Sequence, residues 1–194
     1  MNADKRGRDP LQEEALKKVE ILPVEPGDVE RISALAGEIW RRHYPGIISA
    51  AQIDYMLPRR YDPRVIRAEL RRHDLWWDKL LVGDVIIGFA SYFLTGQPDV
   101  MKLDKLYVHQ EYQRKGYGGM LIARACMQAR VRGCSRLMLA VNKNNRSAIA
   151  AYRKHGFQVS EAAMKDIGGG FVMDDYIMDK ALTSPMKKGV NSEQ

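Results

Sequence analysis

The chain has 194 residues, 45% hydrophobic and 28% charged, which suits one full-sized α/β domain with its own core and excludes collagen-like, coiled-coil and wholly disordered architectures. Lysine and arginine (31) outnumber aspartate and glutamate (24) for a formal charge of +7, which favours an anionic partner: nucleic acid, a phosphorylated cofactor or an acidic surface. No run approaches the roughly 20 apolar residues of a membrane span and the polar first ten residues lack a signal-peptide core, so a cytoplasmic protein with no membrane partner is expected.

Residues 1–16 and 183–194 lack apolar periodicity and are expected to be loose, leaving 17–182 as the folded domain. Val19 to Val24 predicts a strand stopped by Pro23 and Pro26, and Val29, Ile32, Leu35, Ala36, Ile39 and Trp40 recur at helical spacing. Ser49 to Tyr61 is helical with a break at Pro58, and Asp62 caps a further helix with Pro63 at its first position. Leu75–Val82 and Val85–Thr95 predict a hairpin about Gly83-Asp84. In the next strand, Met101 to Val108, alternation puts Met101, Leu103, Lys105 and Tyr107 on one face and Lys102, Asp104, Leu106 and Val108 on the other. A glycine-rich turn then opens a largely apolar helix, Tyr117 to Arg132, ended by Gly133. Strand Arg136–Val141, helix Asn145–His155 and strands Gly156–Ser160 and Phe171–Met178 complete the chain.

Cys126 and Cys134 are too few for a disulfide framework, and His43, His73, His109 and His155 are scattered, so no metal is expected. The segment richest in chemistry is Gln113-Arg114-Lys115-Gly116-Tyr117-Gly118-Gly119, between a strand and a buried helix. Its glycines permit positive φ and close approach of a ligand, the first helical N–H groups attract an anion, and Arg114 and Lys115 add charge. A tight strand-to-helix turn is the plainer alternative.

Gln113-x-x-Gly116-x-Gly118 after Leu106-Tyr107-Val108 resembles the acetyl-CoA signature of the GNAT superfamily of N-acetyltransferases, and Asn145, Ala148, Tyr152, Gly156 and Phe157 match the family pattern Asn-x-x-Ala-x-x-x-Tyr-x-x-x-Gly-Phe without a gap. The element order over roughly 18–182 is also the family's. The resemblance implies a single GNAT-type α/β domain, with a mixed, mostly antiparallel sheet containing a splayed strand pair and flanked by helices. It further implies direct transfer from acetyl-CoA to a primary amine of a polyamine, small amine, peptide or protein. Gln113 to Gly119 would hold the cofactor pyrophosphate, and the backbone at Leu106 and Val108 the pantetheine amides, as though adding a strand. Asn145 would bond the pantetheine arm, serve as an N-cap, or both. Tyr152 falls on the position whose phenol protonates the leaving thiolate, and Asp104 is the first candidate for the base that takes the amine proton. The chain departs from several relatives in carrying Lys102 where they are acidic, and Asp104 can equally be a strand carboxylate paired with Lys102 or Lys105.

His43, Tyr44 and Tyr55 lie in the region that forms one wall of the family's acceptor site and are candidate acceptor contacts. Asp174-Asp175 could attract a cationic amine or form an exposed acidic turn. The run Gln52 to Leu57 and the ending Gly170 to Tyr176 resemble the PaiA-like subgroup, which is implicated in polyamine acetylation. Members of the family often dimerise. The competing readings are an acyl-CoA-binding regulator without efficient transfer, and a nucleic-acid binder using Arg59, Arg60, Arg64, Arg67, Arg71 and Arg72; no recognition motif accompanies those arginines.

Overall fold

The structure, a computed structural model, describes residues 18–182; residues 1–17 and 183–194, which include both segments expected to be loose, lie outside them. Strand β1 (Val19–Pro23) leads into helix α1 (Val29–His43), which buries Val29, Ile32, Ala36, Ile39 and Trp40 as one face at 3.6 residues per turn. Helix α2 (Ala50–Tyr61) starts at Ser49, whose hydroxyl accepts from the Gln52 N–H. It runs through Pro58 without the expected break: Ile53, Met56, Leu57 and Tyr61 are all buried, and this packing holds a turn that lacks one backbone hydrogen bond. Helix α3 (Pro63–Leu70) follows directly, capped by Asp62.

The remaining elements are β2 (Leu75–Val82), β3 (Val85–Leu94), β4 (Val100–Val108), α4 (Tyr117–Val131), β5 (Arg136–Asn142), α5 (Arg146–Lys154), β6 (Gln158–Gly168) and β7 (Phe171–Ala181). They build one seven-stranded sheet in the order β1-β2-β3-β4-β5-β7-β6, parallel between β4 and β5 and antiparallel elsewhere. Alternation along the strands feeds two cores. Leu80 and Val82 join Leu121, Ile122, Ala125 and Ala129 of α4, while Leu75 and Trp77 join Ile32, Ile53 and Ile66 of α1 to α3 on the opposite face.

Strand β4 changes allegiance midway. Ser91 pairs with Lys105 but Tyr92 with Leu103, so Asp104 is the extra residue of a β-bulge. Before the bulge, Met101 and Leu103 belong to the α4 core; after it, Tyr107 packs with the α1–α3 core and Lys105 meets Glu69 and the Trp77 ring. The expected common face of Met101, Leu103, Lys105 and Tyr107 is therefore corrected, because one inserted residue inverts the parity of all that follow. Asp104 likewise does not share a face with Leu106 and Val108, which pack against the α4 core while Asp104 meets Arg60 of α2.

Strand β4 pairs with β5 only from Val100 to Leu103, against Arg136 to Leu139. Beyond the bulge the two strands part, and among the described residues β4 carries no strand on that edge from Asp104 to Val108, giving the splayed pair that the resemblance implies. β6 and β7 are longer than expected and form a hairpin turning at Gly168–Gly170. Residues 161–166 are largely solvated on both faces, so their sequence carries no apolar alternation, and the ladder to β7 holds them instead.

Gly88 of β3 faces Val108, and a Cβ there would stand 2.6 Å from the Tyr107 carbonyl oxygen. Because that atom belongs to the backbone of the paired strand and not to a side chain that could swing aside, Gly88→Ala is expected to destabilise the protein by about 1–3 kcal/mol. The check is a lowered urea midpoint at unchanged m-value; an unchanged midpoint would mean that β3 and β4 yield locally.

Candidate active site

The splay between β4 and β5 opens a cleft of about 630 Å³, lined along its floor by residues 102–108 of β4 and 139–142 of β5. One end is closed by the turn before α4 and by α5, through Gln113, Arg114, Gly118, Gly119, Ser147, Ala148, Tyr152 and His155. The other end is walled by α1, α2 and the β6–β7 hairpin, through His43, Tyr44, Arg60, Lys165 and Asp175.

In the turn, Arg114 (φ 63°) and Gly116 (φ 88°) are both left-handed, a conformation that gathers backbone N–H groups at the α4 N-terminus and suits a phosphate. Gln113 Nε2 donates to the Val108 carbonyl at 3.0 Å, tying the turn to the end of β4. Gln113, Arg114, Gly118 and Gly119 line the cleft, whereas Lys115, Gly116 and Tyr117 are not among its lining residues. The Lys115 ammonium sits 5.4 Å from the Tyr112 ring centre, and Tyr117 packs on the same ring.

Asn145 caps α5, its Oδ1 accepting from the Ala148 N–H and the Ser147 hydroxyl at 3.2 Å each. Its Nδ2 lies 3.0 Å from His43 Nε2. With Oδ1 engaged as acceptor, Nδ2 is the donor, so the imidazole is neutral and carries its proton on Nδ1. Burial pushes the His43 pKa down, more than the Asn145 bond raises it, which agrees with that assignment.

Tyr152 lines the cleft with its ring edge-on to Phe157, 5.6 Å between centres. Burial pushes its phenol up to about 12, and the hydroxyl makes no hydrogen bond among the described residues. It is a protonated donor open to a ligand. Tyr44 also lines the cleft, its hydroxyl bonded to that of Tyr107 at 2.9 Å, and burial drives both phenols well above the ordinary value. Tyr55, expected as an acceptor contact, is not a lining residue. Its hydroxyl donates to the Ile167 carbonyl at 2.8 Å and its ring packs on Phe171, because it clamps the hairpin turn onto α2.

Asp104 does line the cleft, but Arg60 and Lys105 each reach it at 2.9 Å and Lys102 at 3.8 Å. Burial alone would raise its carboxyl pKa; the three cations outweigh burial and hold it at about 2. A carboxylate that acidic is a weak proton acceptor near neutral pH. Asp175 behaves in the opposite way: burial and the adjacent Asp174 raise its pKa against the pull of Lys102 and Arg60. It has no ion pair among the described residues, and its Oδ1 is buried without a hydrogen-bond partner. Asp175 is a strand residue paired with Asn142 and Ala163, not part of an exposed turn. Sequence reasoning gave Asp175 only a passing role and did not place Arg60, Lys102, Lys165 or His155 at the site; the signal for Asp175 lay in the three successive glycines, whose turn sets Asp175 opposite Ala163.

Of the six arginines in residues 59–72, all but Arg71 are engaged locally: Arg60 with Asp104, Arg64 with Asp62, Arg67 with Glu30, Arg72 with Asp74 and Arg59 over the Tyr55 ring. Such pairing leaves a poor track for a phosphate backbone. Among the described residues, no group of three His, Cys, Asp or Glu is arranged to hold a metal ion.

The model of the acetyltransferase (GNAT) family matches residues 36–157. The chain is 27% identical over 170 residues to a spermidine N(1)-acetyltransferase of Thermoplasma acidophilum, covering 86% of this chain and 99% of the relative. It is 32% identical over 79 residues to a thialysine N-epsilon-acetyltransferase of Bos taurus, covering 39% of this chain and 46% of the relative. Among solved structures, the PaiA N-acetyltransferase of Thermoplasma acidophilum in complex with coenzyme A superposes with a TM-score of 0.73 at 26% identity, covering 84% of this chain and 99% of that one. With its two signatures in the turn and helix that follow β4 and in the helix that follows β5, and the family model spanning more than half of it, the chain belongs to the GNAT acetyltransferase family and is an acetyl-CoA-dependent N-acetyltransferase.

Proposed function

We propose that the chain transfers acetyl directly to the primary amine of a small molecule, with Tyr152 as the proton donor. The observation that carries this reading is the protonated Tyr152 hydroxyl, without a hydrogen bond among the described residues, in the cleft where β4 leaves β5. Acetyl-CoA supplies the activated thioester. The N–H groups of the turn and the Arg114 guanidinium hold its pyrophosphate. The open β4 edge at Leu106 and Val108 binds the pantetheine amides as a strand would, with one lone pair of the Val108 carbonyl already committed to Gln113. The neutral amine attacks the thioester carbonyl, the C–N bond forms as the C–S bond breaks, and Tyr152 gives its proton to the departing sulfur, a contribution of ~10²–10⁴ in rate, while the proton shed by the amine nitrogen leaves to solvent and the phenol is reprotonated from solvent. Asn145 acts mainly by fixing the start of α5, and so the place of Tyr152, through its cap and its bond to His43.

The acceptors in the names of the two relatives, spermidine and thialysine, share a primary amine at the end of a flexible aliphatic arm, and we extend that class to this chain, polyamines and amino acids alike. The test is incubation with acetyl-CoA and a pool of aliphatic primary amines, following free CoA and acetylated masses together. Matched release of CoA and acetyl-amine is the expected result. CoA release without an acetylated amine, or an accumulating acetyl-enzyme, would overturn direct transfer.

A further inference from the structure

The acceptor end of the cleft has an uneven charge inventory. Ala163, Lys165 and Ile167 of β6 and Met173, Asp175 and Ile177 of β7 share the face of the hairpin that lines the cleft. Ala163 is opposite Asp175 and Lys165 opposite Met173, so Lys165 and Asp175 are diagonal neighbours, ~7–8 Å apart at the backbone. Across the cleft, Asp104 is consumed by Arg60 and Lys105, and Lys105 is further tied to Glu69. What remains is a single carboxylate, Asp175, with a buried oxygen that no donor meets among the described residues. Facing it are Lys165, exposed and without a hydrogen bond or ion pair among the described residues, and Lys102, whose contact with Asp104 is a long 3.8 Å.

A polyamine brings two or more cations to this end. One could meet Asp175, and the next would face two ammonium groups, a like-charge arrangement that rejects a ligand. An amine that also bears a carboxylate meets an opposite charge at each end, with Ile167, Met173 and Ile177 beside the aliphatic chain between them. We propose that the acceptor is a small amine carrying a carboxylate a few carbons away, its amine received by Asp175 and its carboxylate by Lys165 and Lys102. The proposal rests on the direct-transfer reading above and narrows its substrate class.

Matched acceptors that differ only in the carboxylate test it: L-lysine against cadaverine and L-ornithine against putrescine, with spermidine alongside, for the parent enzyme and for Lys165→Glu. The parent is expected to show kcat/KM about tenfold or more higher for each amino acid than for its diamine. Lys165→Glu, at an exposed strand position, is expected to shift that ratio about tenfold toward the diamines with an unchanged KM for acetyl-CoA. A parent enzyme that uses the diamines or spermidine at least as well as the amino acids overturns the proposal and leaves direct transfer standing. A ratio untouched by Lys165→Glu overturns the assignment of the anion to this residue. If acetyl-CoA binds and no amine is acetylated, direct transfer to an aliphatic amine fails and this inference fails with it.

Discussion

Replacing Tyr152 with phenylalanine is expected to lower kcat by about 10²–10³-fold and to leave the affinity for acetyl-CoA within about twofold of the parent. The substitution removes one oxygen and keeps the ring that packs on Phe157, so the fold and the cleft wall survive. What is lost is the group that neutralises the departing sulfur, and that interaction exists only as the thioester opens. The pH profile supplies a second readout. With the phenol at about 12, Tyr152 stays protonated through the working range, so it imposes no alkaline decline in kcat until the pH nears that value. A Tyr152→Phe enzyme that turns over at the parental rate would remove the residue from the chemistry, and a rise in the Kd for acetyl-CoA with kcat preserved would make it a binding residue instead.

Gly118→Glu is expected to weaken acetyl-CoA binding by about 10²-fold or more, because it adds a negative charge where the α4 N-terminus would receive phosphate. The comparison with Gly118→Ala isolates that cause. A Cβ at Gly118 meets nothing within 4 Å, so the alanine variant should fold and bind as the parent does, and any loss seen only with glutamate is electrostatic. Calorimetric titration with CoA, together with Tm for all three proteins, separates the outcomes. Equal binding by Gly118→Glu would show that the pyrophosphate lies elsewhere; a fall in Tm for both variants would indicate a packing role that the open space around Gly118 argues against.

Much of this was legible from local chemistry. The α1 stripe, the Asp62-Pro63 start of α3, the β2–β3 hairpin and the turn from Gln113 to Gly119 follow from periodicity, capping and glycine placement, and the structure has each where those signals put it. The features that were not legible depend on contacts between distant segments. Pro58 is a helix breaker by local rules, overridden by burial of the side chains around it. The Asp104 bulge leaves no trace in the alternation of residues 101–108, because the slip is defined only against β3. The outer part of β6 is wet on both faces and offers no period to read. The acidity of Asp104 depends on Arg60, a residue of another element, and its suitability as a base could be judged only once that neighbour was in view.

The inserted residue at Asp104 also says something about how finely access to this cleft is set. With Asp104 removed, β3 and β4 would keep one register throughout, with Lys105 still opposite Ser91 and Tyr107 still opposite Phe89, and β4 would lose the local kink that a bulge puts into the strand where it leaves β5. The sheet would then seal along the edge that now stands open. The distance between a continuous sheet and a substrate channel is thus about one position in the chain, and deletion of that one amino acid is expected to narrow the channel without touching any side chain inside it.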